Sequence, residues 1–399
     1  MTADTIGGVW TYALELAAAL RKYEIEIALC TMGAPLTPQQ CTAVDAISNV
    51  TVFQSDFKLE WMDNPWDDVQ QAGEWLLELV ERLKPDVVHL NGYAHGALPW
   101  RIPVLVVGHS CVLSWWEAVK REAAPTSWEQ YREQVRQGLQ SADKVIAPSA
   151  AMLAALERHY GTLADGKVVP NGCNPDQFYV AQKQNVIFTA GRLWDEAKNV
   201  GLLKDIAPDL SWCVCIAGEQ QHPESPQPSL KRGAMEKRDR FQKFRLKREA
   251  QPEDKSPQPS LKRGAIDKTD KRNKTDQKTV CWLGRLSAEE MAFWYARASI
   301  YVLPARYEPF GLSVLEAALS GCALVLGDIP SLREIWQNVA VFVPPDNRDA
   351  LKDAIEGLIT DSAKRRQLAN LARDRALKFT PQRMANSYLN TYQALIDQK

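Results

Sequence analysis

The chain has 399 residues, 45% of them hydrophobic, which is enough for two domains and a large buried core. The formal net charge of −1 gives no basic field for nucleic acid, and no apolar run approaches the roughly 20 residues that span a bilayer. The start, Met1-Thr-Ala-Asp4, lacks the basic and apolar regions of a signal peptide. The eight cysteines, scattered without Cys-x-x-Cys spacing, read as reduced thiols of a cytosolic protein, and the five histidines lack metal-ligand spacing, so no metal site is expected.

In chain order, Val9–Tyr23 predicts a helix with Val9, Ala13, Leu16, Ala17 and Leu20 on one face, and Ile25–Cys30 a short strand. Trp75–Leu83 reads as a helix closed by Pro85. Val87–Leu90, Val104–Val107 and Lys144–Ala147 are continuous apolar strands, as in a parallel sheet covered on both faces. After the loop Val168-Val-Pro-Asn-Gly-Cys-Asn-Pro175 a second unit has strands at Val186–Thr189, Trp212–Ala217, Val280–Leu283, Ile300–Leu303 and Ala323–Leu326. Ser287-Ala-Glu-Glu290 predicts a capping box. A last helix, Pro381–Ile396, has no strand after it and is expected to cross back to the first unit. The alternation predicts two doubly wound α/β domains, 1–170 and 171–380, with 381–399 as that helix. Gly7-Gly8 follows the start so closely that most of a central first strand is expected to be missing or to lie upstream.

Residues 221–279 break the pattern. The decamer Ser-Pro-Gln-Pro-Ser-Leu-Lys-Arg-Gly-Ala occurs at 225–234 and again at 256–265, and the stretch holds 17 Lys and Arg against 9 Asp and Glu. Few large apolar residues are available to offset its ordering entropy, so it reads as a duplicated, disordered, basic insertion. A basic arm that touches anionic lipid or nucleic acid is the other reading.

Four constellations carry chemistry. Gly7-Gly8-Val9 opens a helix and can form a close-approach anion site, although the same pair suits a plain loop. The full Gly-x-Gly-x-x-Gly pattern is absent, which argues against a dinucleotide redox enzyme. Ala190-Gly-Arg192-Leu-Trp-Asp-Glu-Ala-Lys198-Asn199 follows a strand, and Arg192 and Lys198 can reach one diphosphate or can be solvated surface cations. With no Asp-x-Asp in the chain, a sugar-nucleotide enzyme would neutralise a leaving diphosphate with cations and helix dipoles. His109 ends a buried strand at the edge where α/β sheets place ligands, so it suits either a sugar hydroxyl or a structural role. His89 lies within a strand and reads as structural, while His95 in the loop Asn91–His95 fits either role.

The fourth constellation is Arg306-Tyr-Glu308-Pro-Phe-Gly-Leu-Ser-Val-Leu-Glu316. It sets one carboxylate in a loop and a second on the following helix, with Gly311 allowing close backbone approach. Carboxylates beside an anion site suit sugar and ribose hydroxyls. Glycoside hydrolysis by the pair is disfavoured by the phosphate-directed glycines and cations around them.

Together these pieces resemble retaining GT-B glycosyltransferases, the glycosyl transferases group 1 or family 4 of the glycogen-synthase-like clan. Glu308–Glu316 with Ala-Ala-Leu-Ser-Gly321 is similar to that clan's E-x7-E region. Ala190-Gly-Arg-Leu-x4-Lys198 resembles its diphosphate segment, and Gly7-Gly8-Val9 and Gly108-His109-Ser110 resemble its N-domain motifs. The resemblance implies two Rossmann-like domains facing a cleft, with the insertion in the second. It implies that Glu316 holds the donor ribose, and that Glu308 with the backbone of Phe310, Gly311 and Leu312 holds the donor sugar and phosphate. Gly7 and Gly8 would complete the donor site. Arg192 and Lys198 would stabilise the leaving diphosphate and His109 would contact the transferred sugar.

The activity it implies is retaining, metal-independent hexosyl transfer (EC 2.4) from a nucleotide-diphosphate sugar to a saccharide, glycan or small glycoside, with no further cofactor. A glycolipid acceptor, and attachment no more than peripheral at the inner face of a membrane, are compatible with a cytoplasmic enzyme. The acceptor would lie on the N-terminal domain, where Trp61, Trp115, Trp116 and His95 are candidates. A nucleotide-sugar 2-epimerase, a phosphorylase and an inactive nucleotide-binding remnant are the alternatives.

Overall fold

A computed structural model describes residues 1–163, 165–219 and 280–398. The insertion predicted at 221–279 lies outside the described residues. The N-terminal domain carries β1 (Thr2–Asp4), β2 (Ile27–Met32), β3 (Val50–Gln54), β4 (Val88–Leu90), β5 (Val104–Val107), β6 (Lys144–Ala147) and β7 (Gly166–Val168). The C-terminal domain carries β8 (Gln184–Ala190), β9 (Cys213–Ala217), β10 (Val280–Gly284), β11 (Ala298–Leu303), β12 (Ala323–Gly327) and β13 (Val341–Val343). Every pairing between them is parallel.

The apolar runs explain the layering. Every residue of β5, β11 and β12 is buried, because helices cover both faces of each sheet. In the C-terminal domain the order is β10-β9-β8-β11-β12-β13, with Ile300 opposite Ala323 on one side and Ile187 on the other. In the N-terminal domain β3-β2-β1 and β4-β5-β6-β7 lie edge to edge. Asn91 joins them: its N–H donates to Thr2 Oγ1 at 2.8 Å and its Nδ2 to the Thr2 carbonyl at 2.7 Å. Strand order therefore reverses between β1 and β4, and again between β8 and β11. Open α/β sheets bind ligands at such switch points, beyond the carboxyl ends of the strands.

The central position of the first strand is taken by the three residues of β1, in register with Cys30–Met32. Its other edge is closed by the Asn91 side chain in place of a ladder. The helix expected at Trp75–Leu83 begins earlier, at Trp66, behind Pro65 and with Asp67 and Asp68 in its first turn. Acidic residues there complement the helix dipole.

Helix Pro381–Asp397 packs across helix Gly8–Leu20 of the N-terminal domain. Its Tyr388 stacks on His89 with ring centroids 5.3 Å apart and meets the edge of Tyr12. Burying a side chain of this size stabilises the arrangement by about 1.5–3 kcal/mol. His89 is buried in β4 and bonded to the Tyr392 hydroxyl, in keeping with a structural role.

Candidate active site

Four loops leave the two switch points and face each other across a cleft of about 710 Å³. β1 leads to Gly7-Gly8, β5 to His109, β8 to Gly191-Arg192 and β11 to the loop bearing Glu308. The predicted site residues, His95 excepted, all line this one cleft.

Gly7 has φ +101° and ψ −152°, a backbone region essentially confined to glycine, and a Cβ there would lie 3.2 Å from the Arg192 guanidinium. Gly7 makes no side-chain cap on helix Gly8–Leu20, and Gly311 makes none on helix Leu312–Leu319. Two uncapped helix N-termini thus open into the cleft from opposite domains, each offering free N–H groups to an anion. Phe310 enters only through its backbone, since its ring is buried against Phe379.

The charged groups are interlocked. Lys198 Nζ lies 2.5 Å from Glu308 Oε2, with both side chains largely shielded. Arg192 bonds Asp195 at 3.1 Å. Asp195 also accepts from the Ala197 N–H and from the Trp115 indole N–H across the cleft, each at 3.0 Å. Burial raises the Asp195 carboxyl, but Lys198, Arg192 and the Trp115 N–H outweigh it and hold the group below its ordinary range. The Glu308 loop is fixed by Ser331, which donates to the Glu308 carbonyl, and by Ser149 of the other domain, which donates to the Pro309 carbonyl. The Tyr307 hydroxyl accepts from the Cys111 N–H.

Glu316 lies beside Tyr295, and burial pushes its carboxyl up to about 7. Glu15, on the facing helix, adds repulsion and is itself raised to about 7 by burial. His109 is driven down to about 3 by burial and is therefore neutral at working pH. Its Nε2 lies 2.8 Å from Asn91 Oδ1. Because Asn91 Nδ2 donates to Thr2, Oδ1 is the acceptor, so Nε2 carries the proton and Nδ1 the lone pair.

His95 is a correction. It is buried, its Nε2 bonds the Val69 carbonyl at 2.9 Å, and its own carbonyl accepts from the Trp100 indole. The ring is held beneath helix Trp66–Leu83, away from the cleft. Trp115 lines the cleft, but its N–H is committed to Asp195. Asp195 and Asn91 were missed as site residues. The signal for Asp195 was an acid between two cations, Arg192 and Lys198, in an expected phosphate loop.

Residues 6–177 match the family model Glycosyltransferase Family 4, and residues 268–375 match Glycosyl transferases group 1. The chain is 27% identical over 121 residues to the O-antigen chain mannosyltransferase B of Escherichia coli, covering 30% of this chain and 32% of that one. It is 37% identical over 95 residues to the glycogen synthase of Mycobacterium tuberculosis (strain H37Rv), covering 23% of each. These matches span about a third or less of the relatives' own lengths. The fold is similar to that of a sucrose-phosphate synthase from Thermosynechococcus elongatus, with TM-score 0.72 and 18% identity, over 98% of this chain and 94% of that one. It is also similar to the Anabaena protein HepE in complex with UDP and glucose, with TM-score 0.67 and 15% identity, over 99% and 100% of the two chains. With one family model on each domain and the cleft between them, the chain belongs to the GT-B glycosyltransferases of group 1.

Proposed function

We propose that the protein is a retaining, metal-independent hexosyltransferase that moves a sugar from a nucleotide-diphosphate sugar to the hydroxyl of a saccharide or glycolipid. The observation that carries this is the convergence of Arg192, Lys198, Glu308 and Glu316 with two uncapped helix N-termini on one cleft. Arg192, Lys198 and the helix ends supply positive charge where a leaving diphosphate develops its own. Glu316 grips the ribose diol. His109 offers the Nδ1 lone pair to a hydroxyl of the transferred sugar.

The retaining course is favoured because neither group assigned to the transferred sugar, His109 or Glu308, is a free base, while Glu316 is assigned to the ribose. A histidine held at about 3 is too weak to take a hydroxyl proton, and Glu308 is held by Lys198. In the reaction the bond from the anomeric carbon to the leaving phosphate oxygen breaks and the acceptor oxygen bonds that carbon. The acceptor's proton passes to the departing phosphate oxygen. The relatives named as an O-antigen chain mannosyltransferase and a glycogen synthase, and the fold neighbour in complex with UDP and glucose, support this donor and acceptor chemistry.

Among the described residues no helix is long and apolar enough to cross a membrane. All eight cysteines are free, which suits a reducing, cytoplasmic setting, with any membrane contact peripheral.

A thermal-shift screen over UDP-, GDP- and ADP-sugars tests the donor class, since a ligand that binds only the folded state raises Tm by mass action. One nucleotide series is expected to stabilise the protein. Lys198→Ala is expected to lower kcat at least 100-fold, about 3 kcal/mol of transition-state stabilisation, with the fold retained by circular dichroism. Full turnover in Lys198→Ala would end this assignment.

A further inference from the structure

Resting on the glycosyltransferase reading just given, we propose that the acceptor is an uncharged saccharide held by Trp61, Trp116 and Trp128, and that sugar phosphates are excluded.

The two walls of the cleft differ in charge. Both cations among the described lining residues, Arg192 and Lys198, stand on the C-terminal domain. The N-terminal wall has no lysine or arginine among its described lining residues and presents Trp61, Trp116 and Trp128. Lys120, Arg121 and Arg158 do not line the cleft and are ion-paired with Glu196, Asp346 and Glu117. An acceptor phosphate would find no lysine or arginine among the described lining residues of this wall, and Arg192 and Lys198 opposite are taken by the donor diphosphate. Uncompensated burial of an anion of this kind is strongly unfavourable.

The three indoles have what a neutral sugar needs. Each is partly exposed, and each lines the cleft. Trp115 and Trp100 have their N–H groups committed to Asp195 and to the His95 carbonyl. Among the described residues, the N–H groups of Trp61, Trp116 and Trp128 have no hydrogen-bond partner, so they are available to hydroxyls. Indole faces pack on the C–H faces of sugars while the N–H reads an oxygen.

The platform is also pre-set. Trp61 sits in the turn Leu59–Met62, which Glu60 anchors by accepting from the Tyr93 and Ala94 N–H groups. Trp116 meets Trp115 edge-on at 5.8 Å, and Trp115 is pinned to Asp195. Trp128 meets Tyr131 at 5.5 Å and 90°, and the Tyr131 hydroxyl accepts from the Val112 N–H at the start of the helix bearing Trp116. Rigid aromatic groups lose little conformational entropy on binding.

The test uses the full chain and matched pairs: glucose with glucose 6-phosphate, fructose with fructose 6-phosphate, and myo-inositol with its monophosphate. With the stabilising nucleotide-sugar as donor, each neutral sugar that serves is expected to raise nucleoside diphosphate release at least tenfold more than its phosphate ester. An ester used as well as its parent sugar, or better, overturns the proposal. Tryptophan fluorescence titration with the same pairs gives an independent measure: the parent sugar should bind at least tenfold more tightly, and equal or tighter binding of the ester overturns it. Trp116→Ala and Trp61→Ala are each expected to raise the acceptor KM at least tenfold while nucleotide still raises Tm. An unchanged acceptor KM in both variants also overturns the proposal. Absence of any nucleotide-dependent shift would instead sink the donor assignment, and the fluorescence comparison would still decide the question of acceptor charge.

Discussion

A carboxylate that grips hydroxyls works best ionised, and Glu316 is held near neutrality by its surroundings. Its ordinary value is 4.5, and burial raises it to about 7 in the folded protein. The folded state therefore keeps the proton to higher pH than the unfolded chain. The stability that the protonated form contributes is complete below about pH 4.5 and is lost as pH rises through about 7. Asp4 and Glu15, each raised to about 7 by burial, act in the same direction. Glu316→Gln is accordingly expected to stabilise the ligand-free protein by roughly 1–3 kcal/mol at pH 8 and by almost nothing at pH 4.5. Thermal melts at both values check this, and an equal gain at both would contradict it. Nucleotide affinity should move the other way in the wild type, tightening as pH rises through 7, because a ribose diol donates to the ionised form.

At the level of elements, what was legible followed from burial on both faces. β5 and β6 keep the bounds expected for them, Val104–Val107 and Lys144–Ala147, and the Ser287 capping box forms as the spacing requires. β3 was missed because it is an edge strand with half-exposed residues, and β7 and β13 because three residues carry no period. The site divides in the same way. Arg192, Lys198, Glu308 and Glu316 were readable as lining one cleft because they lie on the loops and the helix that follow β8 and β11. The roles of Trp115 and His95 were not, because their partners Asp195 and Val69 are set by tertiary packing at separations of 80 and 26 residues. The Gly7 turn tests how tightly an element boundary is tied to the chemistry. Gly7→Ala forces a side chain into a glycine-only conformation and against Arg192, so a loss of about 1–3 kcal/mol in stability is expected. Gly8 lacks a positive φ, and a Cβ there makes ordinary contact with Leu312, so Gly8→Ala should cost clearly less. Urea denaturation of the two variants compares them, and equal losses would show that the Gly7 backbone is not the constraint.

Across the whole molecule, the last helix reaches the cleft through a chain of polar contacts. Tyr392 lies 2.7 Å from His89 Nδ1, His89 Nε2 lies 3.3 Å from Asn91 Oδ1, and that same oxygen accepts from His109. Burial keeps both histidines neutral, so the contacts orient groups and carry no charge. With Asn91 Oδ1 as a shared acceptor, His89 donates from Nε2 and accepts the Tyr392 hydroxyl proton at Nδ1. Tyr392→Phe removes that donor and leaves Nδ1 of a buried ring unsatisfied, at a cost of about 1–3 kcal/mol. The ring is then free to take its other tautomer, which turns a lone pair toward Asn91 and weakens the hold on His109. A purely structural role for Tyr392 predicts lower Tm with normal kinetics at a temperature where the variant is fully folded. An orienting role predicts a several-fold fall in kcat at that temperature, with the donor KM within twofold of wild type, because Arg192, Lys198 and Glu316 make no contact with this chain of groups. Steady-state kinetics well below the variant's Tm separate the two outcomes, and unchanged kcat would confine the C-terminal helix to packing.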